Sequence, residues 1–226
     1  MFLAEDGRPA GLNWNYTRRE LLADGLVHFL GVALGLAGAI AIVILAALAP
    51  LPAVDQAAVA IYAAALASML GVSATYNMWP VGRRKWLLRR ADHALIYLMI
   101  AGTYTPLVAL VGTGAFAWSL LAAVWLVAGI GIALKLTMPG RFDRAAIGLY
   151  LLLGWSGLAA YDSVIARLEP NALWLLAIGG LLYSVGVVFH VWRSLPYQNA
   201  IWHAFVLAAT ACHYGTVLTT VLDVGT

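Results

Sequence analysis

Seven stretches of 17 to 28 residues run through this chain almost free of charge, at residues 21–48, 56–79, 92–111, 115–136, 145–161, 173–191 and 200–222. A helix that crosses a bilayer needs about 20 predominantly apolar residues. A strand of a membrane barrel needs only about ten, and those alternate between lipid and lumen. These stretches are continuously apolar and too long for that alternation, so the expected fold is all-α, a bundle of seven transmembrane helices. Composition agrees: 63% of the 226 residues are hydrophobic and 10% are charged, against about 25% charged in a soluble domain. A soluble domain of this size lacks the interior volume to hide so much apolar surface.

The breaks are written in proline and glycine: Pro50 and Pro52, Pro80 and Gly82, Gly112 and Gly114, Pro139 and Gly140, Pro170, and Pro196. Residues 1–20 read as a cytoplasmic N-terminal segment and residues 21–226 as the transmembrane domain. The polar start is no h-region of a cleavable signal. Orientation follows from the positive charges, which collect on the cytoplasmic side of membrane proteins. With the N-terminus inside, Arg8, Arg18, Arg19, Arg83, Arg84, Lys85, Arg89, Arg90, Lys135, Arg141, Arg144 and Arg193 all fall inside, and only Arg167 falls outside. Seven crossings then leave the C-terminus outside.

Several function classes drop out. The basic residues form no aromatic-interleaved face outside the spans, which argues against a nucleic-acid partner. Cys212 is the only cysteine, so no disulfide closes within the chain. The seventh helix has no lysine for a retinal Schiff base, and the chain has neither a glycine-rich phosphate loop nor a serine-hydrolase elbow. Other features read as structural. Gly31 and Gly35 allow close helix packing. Pro106 bends the third helix, with Thr103 or Thr105 near the freed backbone groups. Trp79, Trp86, Trp192 and Trp202 read as interfacial anchors, and the basic run at 83–90 as a topology signal against anionic head groups.

Polar residues inside the spans are expensive and mark function by default. Glu20, Asp24 and His28 recur every four residues on one face of the first helix, as do Ser73 and Asn77 on the second and Asn199 and His203 on the seventh. Asp92 and His93 open the third. At 1.5 Å per residue, Ser73 lies roughly 9 Å from the inner end of its helix, and His203 only a few residues into its own. These groups fall at one depth in the cytoplasmic half of the bilayer, so one polar cluster is expected there, while His213 lies roughly 15 Å deeper. Structural alternatives exist for each. Glu20 and Asp24 suit a helix first turn, Asp92 suits an N-cap beside the arginines, and His190 beside Arg193 suits the wet interface.

The segment RADHALIYLMIAGTYTP at 90–106 resembles the third-helix signature of the hemolysin III family, the bacterial branch of the progestin and adipoQ receptor superfamily. GLLYSVGVVFH at 180–190 and NAIWHAFV at 199–206 resemble its sixth and seventh helices, and residues 20–31 its first. The resemblance implies a bacterial inner-membrane protein with a zinc site near the cytoplasmic face. In that pattern a histidine of S-x-x-x-H on helix 2 and two histidines of H-x-x-x-H on helix 7 bind the metal, and a helix 3 aspartate holds a metal-bound water. Ser73, Asp92 and His203 match. Asn77 and Asn199 stand where the other two histidines belong, and neighbouring Gln198 is no better a ligand.

The resemblance therefore assigns Asp92 and Ser73 to catalytic positions, and His203, Asn77 and Asn199 to metal positions. Zinc sites are built from Cys, His or carboxylate, whereas neutral amide oxygens suit harder ions. No tightly bound cofactor is expected, and zinc is the candidate only by resemblance. Three roles follow. The first is a receptor-like or membrane-homeostasis protein with a lipid ligand in the bundle. The second is a metal-dependent lipid amide or ester hydrolase, ceramidase-like, with Asp92 as general base. The third is a cytolysin. Membrane lipids are the partners in all three.

Overall fold

The computed structural model describes residues 14–138, 140 and 142–225. Arg8, Pro139 and Arg141, used above for orientation and breaks, lie outside the described residues. Seven α-helices follow one another: α1 (Arg18–Leu48), α2 (Ala53–Met78), α3 (Arg83–Val111), α4 (Gly114–Thr137), α5 (Asp143–Trp155), α6 (Pro170–Val191) and α7 (Gln198–Val224). All but α5 are long and apolar enough to cross a membrane. Among the described residues there is no strand. Large apolar side chains line the outer faces, with Phe29 70% exposed and Leu48 79% exposed on α1 alone. Contiguous apolar surface of this kind is lipid-facing.

The boundaries follow local chemistry. α1 starts with a capping box, in which the Thr17 N–H donates to Glu20 Oε2 at 2.8 Å and the Glu20 N–H donates to the Thr17 hydroxyl at 3.3 Å. Glu20 is thus the first-turn carboxylate the sequence suggests. α6 starts on Pro170 at a position where the missing N–H costs nothing. α7 is preceded by Tyr197 in the left-handed region at φ 57°, a conformation uncommon for a bulky residue. The Tyr197 N–H donates to Glu20 Oε1 at 3.0 Å, so one carboxylate fixes the starts of both α1 and α7.

α3 begins nine residues earlier than the apolar run, at Arg83 instead of Asp92. The basic run is helical because its charges have partners. Lys85, 5% exposed, points its ammonium at the carbonyls of Tyr76, Asn77 and Trp79 at 2.8–3.0 Å. Those are the carbonyls a helix C-terminus leaves unpaired, and the negative end of the α2 dipole favours a cation there. Arg89 and Lys135 each meet Asp143 at 2.7 Å. Burial opposes the Asp143 charge, but the two cations overcome it and hold its carboxyl below the usual carboxylate range. Trp86 is buried against Trp14 and Tyr76 and is no interfacial anchor, whereas Trp79 and Trp192 are exposed.

α1 packs between α2 and α7; α3 packs between α2 and α4 and also meets α7 and α5. Small residues set the close approaches. A Cβ on Gly35 would meet Leu70, and one on Gly31 would meet Leu207 and Leu70, as the glycine spacing predicts. In α3, Pro106 frees the carbonyl of Gly102, and the hydroxyls of Thr103 and Thr105 bond back to Met99 and Ala101 at 2.8 Å. α5 covers only 13 residues, then tightens into a 3-10 turn at Ser156–Ala160. The Tyr104 hydroxyl of α3 sits at the change, 3.0 and 2.9 Å from the carbonyls of Leu153 and Gly154, and accepts the Gly157 N–H at 2.6 Å.

Candidate functional site

The starts of α1, α3 and α7 and the end of α2 meet at one end of the bundle, and the polar residues meet with them. Asp24 lies six residues into α1, pointing at α7, and is 2% exposed. Its Oδ1 lies 2.6 Å from His203 Nδ1, and its Oδ2 accepts from Asn199 Nδ2 at 2.8 Å. Asn199 and His203 are one turn apart on α7, so a single carboxylate is gripped by two consecutive turns of the facing helix. Asn199 Nδ2 also reaches Asn77 Oδ1 at 3.1 Å. Asn77 in turn donates to the Ser73 carbonyl at 3.0 Å and approaches its hydroxyl at 3.4 Å. Asp92, on the facing α3, lies close enough to Ser73 for that side chain to act on its carboxyl.

The result is a polar chain, hydrogen-bonded from Ser73 through Asn77, Asn199 and Asp24 to His203, with Asp92 beside Ser73 at its head. It joins α3, α2, α7 and α1 in that order. All five residues assigned from sequence take part, which is the convergence their shared depth predicts. Asp92 sits more than two turns inside α3, so it is not the N-cap of that helix.

His28 completes the group. It is 7% exposed, one turn beyond Asp24 on the same face of α1. Its ring centroid lies 4.4 Å from that of His203. Its Nε2 is 3.7 Å from Asp24 Oδ1, beyond hydrogen-bond length, and is buried with no hydrogen-bond partner. Asp24, His28 and His203 each offer one ligand atom, all within 4.8 Å of one another, and form a group that could hold a metal ion.

The sequence placed Asp24 and His28 on the right face and at the right depth but not at the centre. The available signal was the i, i+4 carboxylate–imidazole pair on α1 facing an i, i+4 amide–imidazole pair on α7. The deeper histidine, His213, stays apart: its ring lies edge-on to Tyr183 at 5.4 Å. His190 is not at the wet interface, since its ring packs at a tilt against Trp202, centroids 4.8 Å apart, and its Nδ1 is buried without a partner.

Residues 16–214 match the model of the family described as haemolysin-III related. The chain belongs to this family. A hemolysin-3 homolog of Bacillus subtilis (strain 168) is 33% identical over 203 residues, 90% of this chain and 95% of that protein. The hemolysin-3 of Bacillus cereus is 42% identical over 131 residues, 58% of this chain and 60% of its own. The human monocyte to macrophage differentiation factor is 31% identical over 162 residues, 68% of this chain and 66% of its own. No solved structure matches the chain. The matched span covers α1 to most of α7, and so every member of the polar chain.

Proposed function

We propose that this haemolysin III-related chain is a seven-crossing protein of the bacterial inner membrane, N-terminus in the cytoplasm and C-terminus outside, with a receptor-like or membrane-homeostasis role. The seventh crossing is α5 with its 3-10 continuation. Its 13 and 5 residues reach roughly 30 Å at 1.5 and 2.0 Å per residue, about the thickness of the hydrocarbon core. Backbone polar groups at that depth need partners inside the protein, and Tyr104 supplies them where the helix changes pitch.

The observation that carries the role is the polar chain itself. Asn77 Oδ1 is taken up by Asn199, and Asn199 by Asp24. Amides that bond each other in series lock helix positions together; they neither carry charge nor move protons at neutral pH. A lipid that displaces α1 or α7 must break that series, which couples occupancy of the membrane-facing surface to the cytoplasmic ends of four helices. Protein reconstituted in nanodiscs should therefore show a melting temperature that depends on acyl length and head group. Asn199→Leu should flatten that dependence. No lipid amide or ester should be turned over. Turnover abolished by Asp92→Asn would overturn this role.

A second reading, a metal-dependent lipid hydrolase, is favoured by one observation: the unpartnered His28 Nε2 beside Asp24. A bound zinc would supply Lewis-acid polarisation of a carbonyl, with Asp92 and Ser73 on the far side of the amide pair. A cytolytic role rests on the names of the relatives alone.

A further inference from the structure

Of the three helix 2 and helix 7 positions that the family resemblance assigns to zinc, Asn77 and Asn199 do not fit it here, while His203 does. Asn77 offers only a neutral amide oxygen, which already accepts from Asn199 and suits harder ions than zinc. The fit lies one helix over. We propose that α1 and α7 hold a divalent transition metal of the zinc class through Asp24 Oδ1, His28 Nε2 and His203 Nδ1. This inference stands on the geometry of those three residues and holds whether the site signals or hydrolyses.

Three features support it. The donor set is two imidazoles and one carboxylate, a set that zinc sites use with a position left open. Imidazole also suits copper, nickel and iron, while magnesium and calcium prefer all-oxygen shells. Next, His28 Nε2 is a buried ring nitrogen with no hydrogen-bond partner. Leaving such a group unpaired is costly, and a metal bond satisfies it. Finally, the carboxylate is oriented as a ligand should be. Asn199 binds Oδ2 at 2.8 Å and leaves Oδ1 facing both histidines. Partners of this kind fix a ligand's geometry and tune its affinity. Asn199 thus changes role, from a replaced ligand to the group that aims one.

The spacing needs only side-chain adjustment. Bonds of about 2.0–2.1 Å put tetrahedral zinc ligands roughly 3.3 Å apart. The His28–Asp24 pair stands at 3.7 Å, close to that value. The His203–Asp24 pair stands at 2.6 Å, the length of a hydrogen bond, so the metal takes the place of the proton those atoms share. No thiolate competes, since Cys212 lies nine residues along α7, roughly 13 Å from His203.

The test is metal content of the purified full-length chain in detergent, by elemental mass spectrometry, after dialysis against trace zinc and again after chelator. The wild type should hold close to one zinc per chain. Asp24→Asn and His28→Gln should each lower the affinity by at least tenfold, and His213→Ala should leave it unchanged. Asn199→Ala should weaken binding about 10–100-fold without moving the site. Cobalt(II) loading gives a second readout that needs no variant to fold: a visible ligand-field band in the wild type, abolished by competing zinc. A wild type that takes up neither metal overturns the proposal. So does a monodisperse Asp24→Asn or His28→Gln variant with unchanged affinity. Lipid turnover, measured separately, tests the role and not the metal.

Discussion

Asp24 and His203 lie 179 positions apart in the chain and 2.6 Å apart in the fold. This contact joins the first helix to the last at the depth where both have just entered the bundle. Polar contacts between membrane helices average about 0.6 kcal/mol, with a maximum near 1.7. A buried carboxylate that loses its imidazole should cost more, because its charge is stranded in a low-dielectric setting. In a chelator-containing detergent buffer, His203→Ala should lower the thermal midpoint, and Asp24→Asn should restore part of the loss. Strict additivity of the two changes would show that the contact carries no energy. The same cycle between Asp92 and His203 should give a smaller coupling, because no hydrogen bond joins those two directly, whereas Asp24 and His203 are in contact.

Asn199→Leu removes the one side chain that bonds both Asp24 and Asn77. It leaves Asp24 Oδ2 and Asn77 Oδ1 buried without donors, at about 1–3 kcal/mol for each unsatisfied group. Asn199→His keeps a ring N–H in reach of one of them and should cost less. Equal melting temperatures for the two variants would mean that the amide is not bonded as described.

How much of this was legible in the sequence depends on what each pattern encodes. Length and apolarity define a crossing, so six helices emerge, and all their ends but the start of α3 fall within a few residues of the apolar runs. The shared depth of Ser73, Asn77, Asn199 and His203 needs only helical rise and the alternation of crossings. What a helix buries is a different question. α1 is apolar nearly all round, so its pattern does not say which side faces the bundle, and Asp24 could be read as a first-turn charge like Glu20. The start of α3 was hidden because a basic run resembles a loop until Lys85 is seen on the carbonyls of α2 and Arg89 on Asp143. The run at 145–161 predicts an unbroken span, whereas α5 ends in a 3-10 turn held by a tyrosine 50 residues away in sequence.

Asp143 gives a pH-dependent prediction. It pairs with both Arg89 and Lys135, which are 8% and 7% exposed at the side chain. Because its folded carboxyl is held below the usual range, the stability it contributes is present above the unfolded value of about 3.9. That stability is lost as the pH falls through the folded value. Between neutral pH and about pH 5 the melting temperature should respond little to Asp143; its loss should begin below about pH 4. Asp143→Asn should remove that acid limb and cost, near neutral pH, toward the lower end of about 3–5 kcal/mol, since Asp143 keeps 29% side-chain exposure. A variant as stable as the wild type at pH 7 would show that the two buried cations find other partners.

Two glycines of α4 separate packing from propensity. A Cβ on Gly131 would lie 2.5–2.6 Å from the Tyr97 ring, while one on Gly129 meets nothing within 4 Å. Gly131→Ala should destabilise by about 1–3 kcal/mol through overpacking. Gly129→Ala should be neutral or slightly stabilising, as alanine is the better helix former. Equal effects would mean that α3 and α4 are not in contact at Tyr97.

The topology proposal has the plainest test. Twelve of the thirteen basic residues fall on one side if the chain crosses seven times, and α5 is the crossing on which the alternation depends. If α5 and its 3-10 turn do not cross, the chain crosses six times, and both termini fall on the same side. A periplasm-active reporter fused after Thr226 should be active, and one inserted between Pro80 and Gly82 should be silent. A cysteine in place of Asp162, just past the 3-10 turn, should be labelled from outside by a membrane-impermeant maleimide in a Cys212→Ala background. A silent C-terminal reporter together with an unlabelled Asp162→Cys would remove the seventh crossing. It would also put α6 and α7 the other way round, and with them the site that needs the starts of α1 and α7 at the same face.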